Sequence, residues 1–174
     1  MHANATEKDH PFFMTAAVAQ AKDALGRGEF PVGCVIVDGP RIVARGSRHG
    51  STGPHPNEID HAEMMALRHL GELDEASDPA GLVLYTTLEP CLMCYGAILL
   101  SGISQIVYAY EDVMGGGTGC LLGELPPLYA NRHVVLTPGV RRRESLALFQ
   151  RFFKSPENAY WRGSPLADYT LRQT

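Results

Sequence analysis

No run of about eighteen consecutive apolar residues occurs in this chain, so a membrane-spanning helix is excluded. Cysteine is scarce, with four in 174 residues, too few for a secreted disulfide scaffold. Neither charge sign dominates: fifteen Lys and Arg against nineteen Asp and Glu leave a net charge of -4. That balance removes any global pull toward nucleic acid or anionic lipid and leaves only a local basic patch as a route to either. Internal repeats, low-complexity tracts and long linkers are also absent, which excludes solenoids and disordered arrays. The polar stretch Met1–Pro11 lacks the apolar centre of a secretory leader, so a cytoplasmic protein is the expectation.

What is present describes one globular domain. Hydrophobic residues make up 45% of the chain and charged residues 20%, an ordinary core-forming composition. The expected division is one folded domain over residues 1–154 and an aromatic tail over 155–174, packing on or capping it.

Apolar residues at Phe13, Ala17, Ala21 and Leu25 recur every four positions and predict a helix over Phe12–Gly26. Pro31–Val37 and Arg41–Gly46, joined by Asp38-Gly39-Pro40, read as a β-hairpin. Ser47–Asp60 reads as a loop, and His61–Leu70 as a helix with Asp60 as its N-cap. Leu82–Leu88, Ile103–Tyr110 and His133–Thr137 read as strands, and Cys91–Leu100 and Val140–Phe153 as helices. Leu121–Ala130 reads as a short helix interrupted at Pro126-Pro127. Strands alternating with helices imply βαβ crossovers, and the hairpin adds antiparallel pairing. The expected fold is therefore α/β: a mixed five-stranded sheet between helices, a three-layer α/β/α sandwich.

The chemistry-bearing residues stand at two predicted helix starts, where sites form in sheets of this kind. Cys91 and Cys94 are three apart, close enough on one side of a helix turn to chelate one ion. A helix N-terminus also favours their thiolate forms. His61 supplies a third ligand if the two helix starts lie side by side. Three ligands with one open position describe catalytic zinc, whereas a fourth protein ligand describes structural zinc. Residues two apart on a helix project about 200° apart, so His61 and Glu63 can share only a site lying beyond the helix end. Two thiolates cancel the formal charge of Zn2+ and weaken its acidification of water, so an adjacent carboxylate must take the proton. Glu63 fits that role. Taken alone, Cys-x-x-Cys admits a structural zinc site or a redox dithiol. Cys34 and Cys120 have no ligand-type partner at finger-like spacing, and the upstream His-x-Glu favours catalysis.

His61-Ala-Glu63 followed by Pro90-Cys-Leu-Met-Cys94 resembles the signature of zinc nucleobase deaminases. The chain is similar to the cytidine deaminase superfamily, and within it to the branch of bacterial tRNA adenosine deaminases and guanine deaminases. The similarity runs from Glu29-Phe-Pro-Val-Gly33, through His61-Ala-Glu-Met-Met-Ala-Leu67 and Thr87-Leu-Glu-Pro-Cys-Leu-Met-Cys-Tyr-Gly-Ala97, to Asp112, about half the chain. The resemblance implies one Zn2+ on His61, Cys91 and Cys94, Glu63 as the catalytic proton shuttle, and a homodimer. It also implies substrate contacts at the Ala62 backbone N–H and at the end of the second strand, aligned here with Ser47 in place of the Asn of such relatives. Ser47 offers one hydroxyl where an amide offers a donor and an acceptor.

The substrate is read from the departures. Glu111-Asp112 stands after the fourth strand, where tRNA deaminases carry a basic stretch, and acids there repel phosphate. Guanine deaminases tolerate acids at this place, which makes Glu111 a candidate substrate contact, and they close the pocket with an aromatic tail. Tyr160, Trp161 and Tyr169 are available for that, with Trp161 the chosen candidate, against the ordinary alternative of packing on the last helix. Arg141-Arg142-Arg143 reads as a solvated first turn, Gly115–Gly119 as a turn in preference to an anion nest, and His49 and His55 as exposed loop residues. The leading expectation is hydrolytic deamination of an amino-purine-like base, free or as a nucleoside. Adenosine-to-inosine deamination of tRNA is the alternative, with a cytosine or cytidine substrate second. A non-catalytic zinc scaffold stands outside the class. A small-molecule substrate is thus preferred to tRNA as partner, and no membrane partner is expected.

Overall fold

The structure is a computed structural model in which residues 7–73 and 78–174 are described; Met1–Thr6 of the polar amino-terminal stretch lie outside that range. Strand alternation sets the architecture. Along β1 (Gly33–Asp38), Val35 and Val37 join one apolar cluster while Cys34 and Ile36 join another. The same split recurs in β3 (Leu82–Leu88) and β4 (Gln105–Tyr110): Val83, Tyr85, Val107 and Ala109 face one way, Leu82, Leu84, Ile106 and Tyr110 the other. A sheet apolar on both faces must be covered on both, because successive side chains point to opposite sides.

The cover on the first face is α1 (His10–Gly26), through Phe13, Met14, Ala17, Val18 and Ala21. On the second lie α2 (Ala62–Gly71) and α3 (Leu92–Leu100), through Ala62, Ala66, Tyr95 and Ile98. With β2 (Arg41–Ser47) the strand order is β2-β1-β3-β4-β5, where β5 is Val135–Thr137. β1 pairs antiparallel with both β2 and β3, and β4 pairs parallel with both β3 and β5. The molecule is a mixed five-stranded sheet with helices on both sides.

Two glycines let the helices lie flush on the hairpin. A Cβ on Gly33 would stand 2.2 Å from the Ala17 carbonyl oxygen of α1, and one on Gly46 2.1 Å from the Ala62 carbonyl oxygen of α2. Any side chain at Gly46 would push away the helix start that carries His61 and Glu63.

Several boundaries differ from expectation. His61, not Asp60, is the N-cap of α2, and the Asp60 carboxylate accepts instead from Asn57 and Arg68 at 2.7 Å each. β4 starts at Gln105 and β5 at Val135, each two residues late, since the β4–β5 ladder opens at the Gln105–Val135 pair. The interrupted helix is resolved into a 3-10 turn at Leu122–Glu124 and α4 at Pro127–Ala130. α5 (Arg142–Lys154) begins after Arg141, whose left-handed backbone (φ 54°) holds it outside the helix. The tail contains a further helix, α6 (Pro165–Arg172). Ser164 caps it by accepting from the Ala167 N–H at 3.2 Å, and Pro165 occupies the first turn, where a missing N–H costs nothing. Leu166 of α6 joins the core beside Phe149 and Phe152 of α5. No helix among the described residues is long and apolar enough to cross a membrane.

Candidate active site

Two N-caps build the cluster. His61 precedes α2 in extended backbone (φ -65°, ψ 155°), and Cys91 precedes α3 in the same conformation (φ -67°, ψ 170°). An N-cap projects beyond the helix end, which resolves the angular conflict between His61 and Glu63: only Glu63 is a helical residue. Cys94 lies in the first turn of α3, three positions after its cap, where a side chain can return to the cap. The Nδ1 of His61 lies 3.6 Å from the Cys91 sulfur and 3.5 Å from the Cys94 sulfur. All three ligand atoms fall within 4.8 Å of one another.

One imidazole nitrogen and two sulfurs at that separation fit a single zinc ion, which takes such ligands at about 2.0–2.3 Å. Of the two thiols, the cluster by itself brings one to its thiolate form. A hydrogen bond from the Cys94 thiol, outweighing burial, brings the Cys91 thiol down to about 4, a thiolate at neutral pH. Cys94 is pushed strongly up by that same sharing and by burial. His61 sits net above its ordinary value: burial pulls it down, but the Cys91 hydrogen bond and the Glu63 and Cys91 charges outweigh it. Among the described residues, Cys34 and Cys120 stay outside the cluster.

Glu63 is 3% exposed. Its Oε1 accepts from the Thr86 hydroxyl at 2.9 Å, and its Oε2 lies 3.5 Å from the Cys94 sulfur. Burial raises its pKa, partly offset by the nearby His61. A cavity opens beside these groups, bordered by His61, Ala62, Glu63 and Cys91 from the two helix starts and by Tyr160 and Trp161 from the tail. Trp161 holds a left-handed backbone (φ 58°) at this wall.

Two expected substrate contacts fall elsewhere. Gly46 faces α2, so Ser47, one residue on, faces the opposite side of the sheet, where its Oγ accepts from Arg27 at 2.9 Å. Arg48 returns to the α2 side and borders the cavity, an assignment that the sequence reading missed. The signal was strand parity: the β2 ladder runs one residue further, the Arg48 N–H donating to the Val32 carbonyl at 3.0 Å. Glu111 also lies outside the cavity wall. Arg142 grips both of its oxygens and the Tyr169 hydroxyl donates to it at 2.7 Å, so its carboxyl is lowered to about 2, chiefly by Arg142. Its neighbour Asp112 takes the place at the wall, accepting from the Met114 and Gly115 N–H groups at 3.0 and 2.9 Å. Tyr169 stacks on Tyr110 and is likewise away from the cavity, as are His49 and His55. The glycine segment packs on the start of α3, with the Gly117 N–H donating to the Pro90 carbonyl at 2.8 Å.

Comparison with known proteins places this arrangement. The family model of the cytidine and deoxycytidylate deaminase zinc-binding region matches residues 7–110. A tRNA-specific adenosine deaminase of Bacillus subtilis (strain 168) is 33% identical over 142 residues, 82% of this chain and 87% of its own. Among solved structures, a tRNA deaminase studied for A-to-I editing at the wobble position superposes with a TM-score of 0.62 at 28% identity. That match covers 79% of this chain and 98% of the other. A guanine deaminase from Nitrosomonas europaea, at 20% identity, shares the fold with a TM-score of 0.65 over 87% of this chain and 86% of its own. With two helix starts converging on one zinc-type cluster and a family model spanning more than half its length, the chain belongs to the cytidine and deoxycytidylate deaminase family, zinc-dependent enzymes acting on nucleobases and nucleosides.

Proposed function

We propose that this protein hydrolytically deaminates adenosine to inosine in tRNA. The observation that carries the reading is the convergence of His61, Cys91, Cys94 and buried Glu63 in a chain whose 31–33% identical relatives are tRNA-specific adenosine deaminases. This reverses the order expected from sequence, in which the free base led and tRNA was second. The acids expected to repel RNA are in part neutralised internally, Glu111 by Arg142.

His61 Nδ1 and the sulfurs of Cys91 and Cys94 would hold zinc, which when bound supplies Lewis acidity to the attacking water. Glu63 does the proton work. Thr86 fixes one of its oxygens, and burial raises its pKa so that the carboxyl can carry a proton without losing it at once to solvent. It takes a proton from water and passes it to the ring nitrogen beside the amine-bearing carbon. The amine takes the second proton of that water, released from the newly formed hydroxyl, as the C–N bond breaks. Water and the amine are consumed; an oxo group and ammonia result. The Ala62 backbone and Trp161 line the space for the ring.

A second reading, a free aminopurine or its nucleoside, is favoured by one feature: Tyr160 and Trp161 wall the cavity, as a small-substrate enzyme requires. A homodimer and a cytoplasmic location accompany the proposal. Exposed Leu92, Val113 and Leu121 support the dimer, and light scattering after size exclusion tests it. Ammonia release over a tRNA anticodon stem-loop, adenosine, adenine, guanine and cytidine decides between substrates. Inosine formed in the stem-loop supports the proposal, and turnover confined to free bases replaces it with the second reading.

A further inference from the structure

We propose that Arg48 recognises the substrate by donating a hydrogen bond to an acceptor nitrogen on the flank of the ring opposite the one Glu63 protonates, which for an aminopurine with its amine at C6 is N7. The inference rests on the aminopurine reading of the cavity. Arg48 is 1% exposed, yet it borders the cavity that holds Glu63. Its guanidinium carries five N–H donors and no acceptor. Three are assigned to protein oxygens: Nη1 donates to the His49 carbonyl and to the Asp60 carbonyl at 3.1 Å, and Nη2 to the Glu58 carboxylate at 3.2 Å. Glu58 also accepts from the Tyr160 hydroxyl at 2.8 Å, so the arginine head is braced by the loop before α2 and by the tail. The side chain is thus fixed in place at the cavity wall before any ligand arrives, its guanidinium also lying over the Tyr160 ring at 5.9 Å.

Charge narrows the ligand. Glu58 balances the guanidinium, and the other ionisable groups at the wall include Glu63, Glu89 and Asp112. A phosphate entering this space would meet three carboxylates and one already paired cation. A neutral heterocycle with a lone-pair nitrogen meets no such opposition. Ring chemistry narrows it further. In adenine the reacting C6 is flanked by N1, which Glu63 serves, and by C5, next to the acceptor N7. In cytosine the reacting C4 is flanked by N3 and by a C5–H, which offers a donor-only side chain nothing. Arginine donation to a purine N7 is a common base contact. A buried arginine here therefore selects purine over pyrimidine, which neither Ser47 nor the metal ligands can do.

The test is an atom-by-residue cycle on the zinc-loaded protein. kcat/KM is measured for an RNA hairpin carrying adenosine or 7-deazaadenosine in its loop, and for the two free nucleosides, with wild type, Arg48→Met and Arg48→Lys. Binding of purine riboside and 7-deazapurine riboside is followed in parallel through the fluorescence of Trp161, the single tryptophan of the chain, at the cavity wall. Zinc content of one per chain verifies that each variant keeps its site. A hydrogen bond from a charged donor predicts that removing N7 costs wild type about 10–100-fold more than it costs Arg48→Met. Arg48→Lys, which keeps the charge and loses the fork, should fall between them. An equal N7 penalty in wild type and Arg48→Met overturns the assignment while leaving purine deamination standing. Preferred turnover of cytidine, or failure of every purine to react or bind, removes the aminopurine reading and this inference with it.

Discussion

The cavity has two sides of different origin. Its metal side is made of residues adjacent in sequence, His61 with Glu63 and Cys91 with Cys94, each pair at one helix start. Its other side, the recognition side under the proposed function, is assembled from Arg48 after β2, Asp112 after β4, and Tyr160 and Trp161 before α6. A short motif can impose the first geometry, because N-cap and first-turn positions are a few bonds apart. The second depends on strand parity and on where a distant tail docks. The metal side should therefore respond to substitution by loss of chemistry, and the recognition side by altered selectivity.

The largest effect should come from Cys91→Ala. Two of three ligands remain, so zinc content should fall well below one per chain by atomic absorption and ammonia release should fall to background. Full zinc occupancy in this variant would break the ligand set. Next is Glu63→Gln, which should keep its zinc and lose about 10²–10⁴-fold in kcat. Near-normal turnover would make the carboxylate a bystander.

Third, Gly46→Ala forces a Cβ against the Ala62 carbonyl and should cost about 1–3 kcal/mol, read as a lowered Tm. The same displacement moves the start of α2, so kcat should fall with it; an unchanged Tm would mean that the helix has room to retreat.

Fourth, Glu111→Gln probes a residue that the fold removed from the site, so kcat should stay within about twofold, while acid stability should change. The Glu111 carboxyl is lowered to about 2 in the fold, mainly by its hydrogen bonds from Arg142, against 4.5 for an ordinary glutamate. Its stabilisation is complete above pH 4.5 and is lost as pH falls toward 2, where folded and unfolded chains are protonated alike. About a third of each side chain is open to solvent, which screens the pair, so the difference should stay below about 1 kcal/mol. Denaturant midpoints of wild type and variant, compared from pH 5 to 2, should converge at the acid end. Smallest of all, Ser47→Ala should leave kcat/KM within about twofold, since Ser47 bonds Arg27 on the far face of the sheet.

Periodicity and turn chemistry were enough for the helix–strand order, because the helical spacing of α1 and the apolar runs of β1 and β3 are local patterns. The missed α6 shows the limit. Its Ser164-Pro165 start is a readable cap, but Tyr160, Trp161 and Tyr169 drew attention to the aromatics instead. Ser47 falls on the face away from the cavity for a related reason: in a strand one residue is the difference between two faces. Glu111 failed because charge complementarity with Arg142, thirty-one positions away, has no local signature.

Sequence by itself determined the metal-type cluster: His-x-Glu and Cys-x-x-Cys at helix starts bring three possible zinc ligands and a buried carboxylate into a fixed local relation. Tertiary structure alone decided what stands opposite them, putting Arg48, Asp112 and Trp161 at the wall and withdrawing Ser47 and Glu111. Ligand geometry within one helix turn is set by bond angles, whereas the far wall of a cavity is set by the packing of elements that meet only when the chain folds.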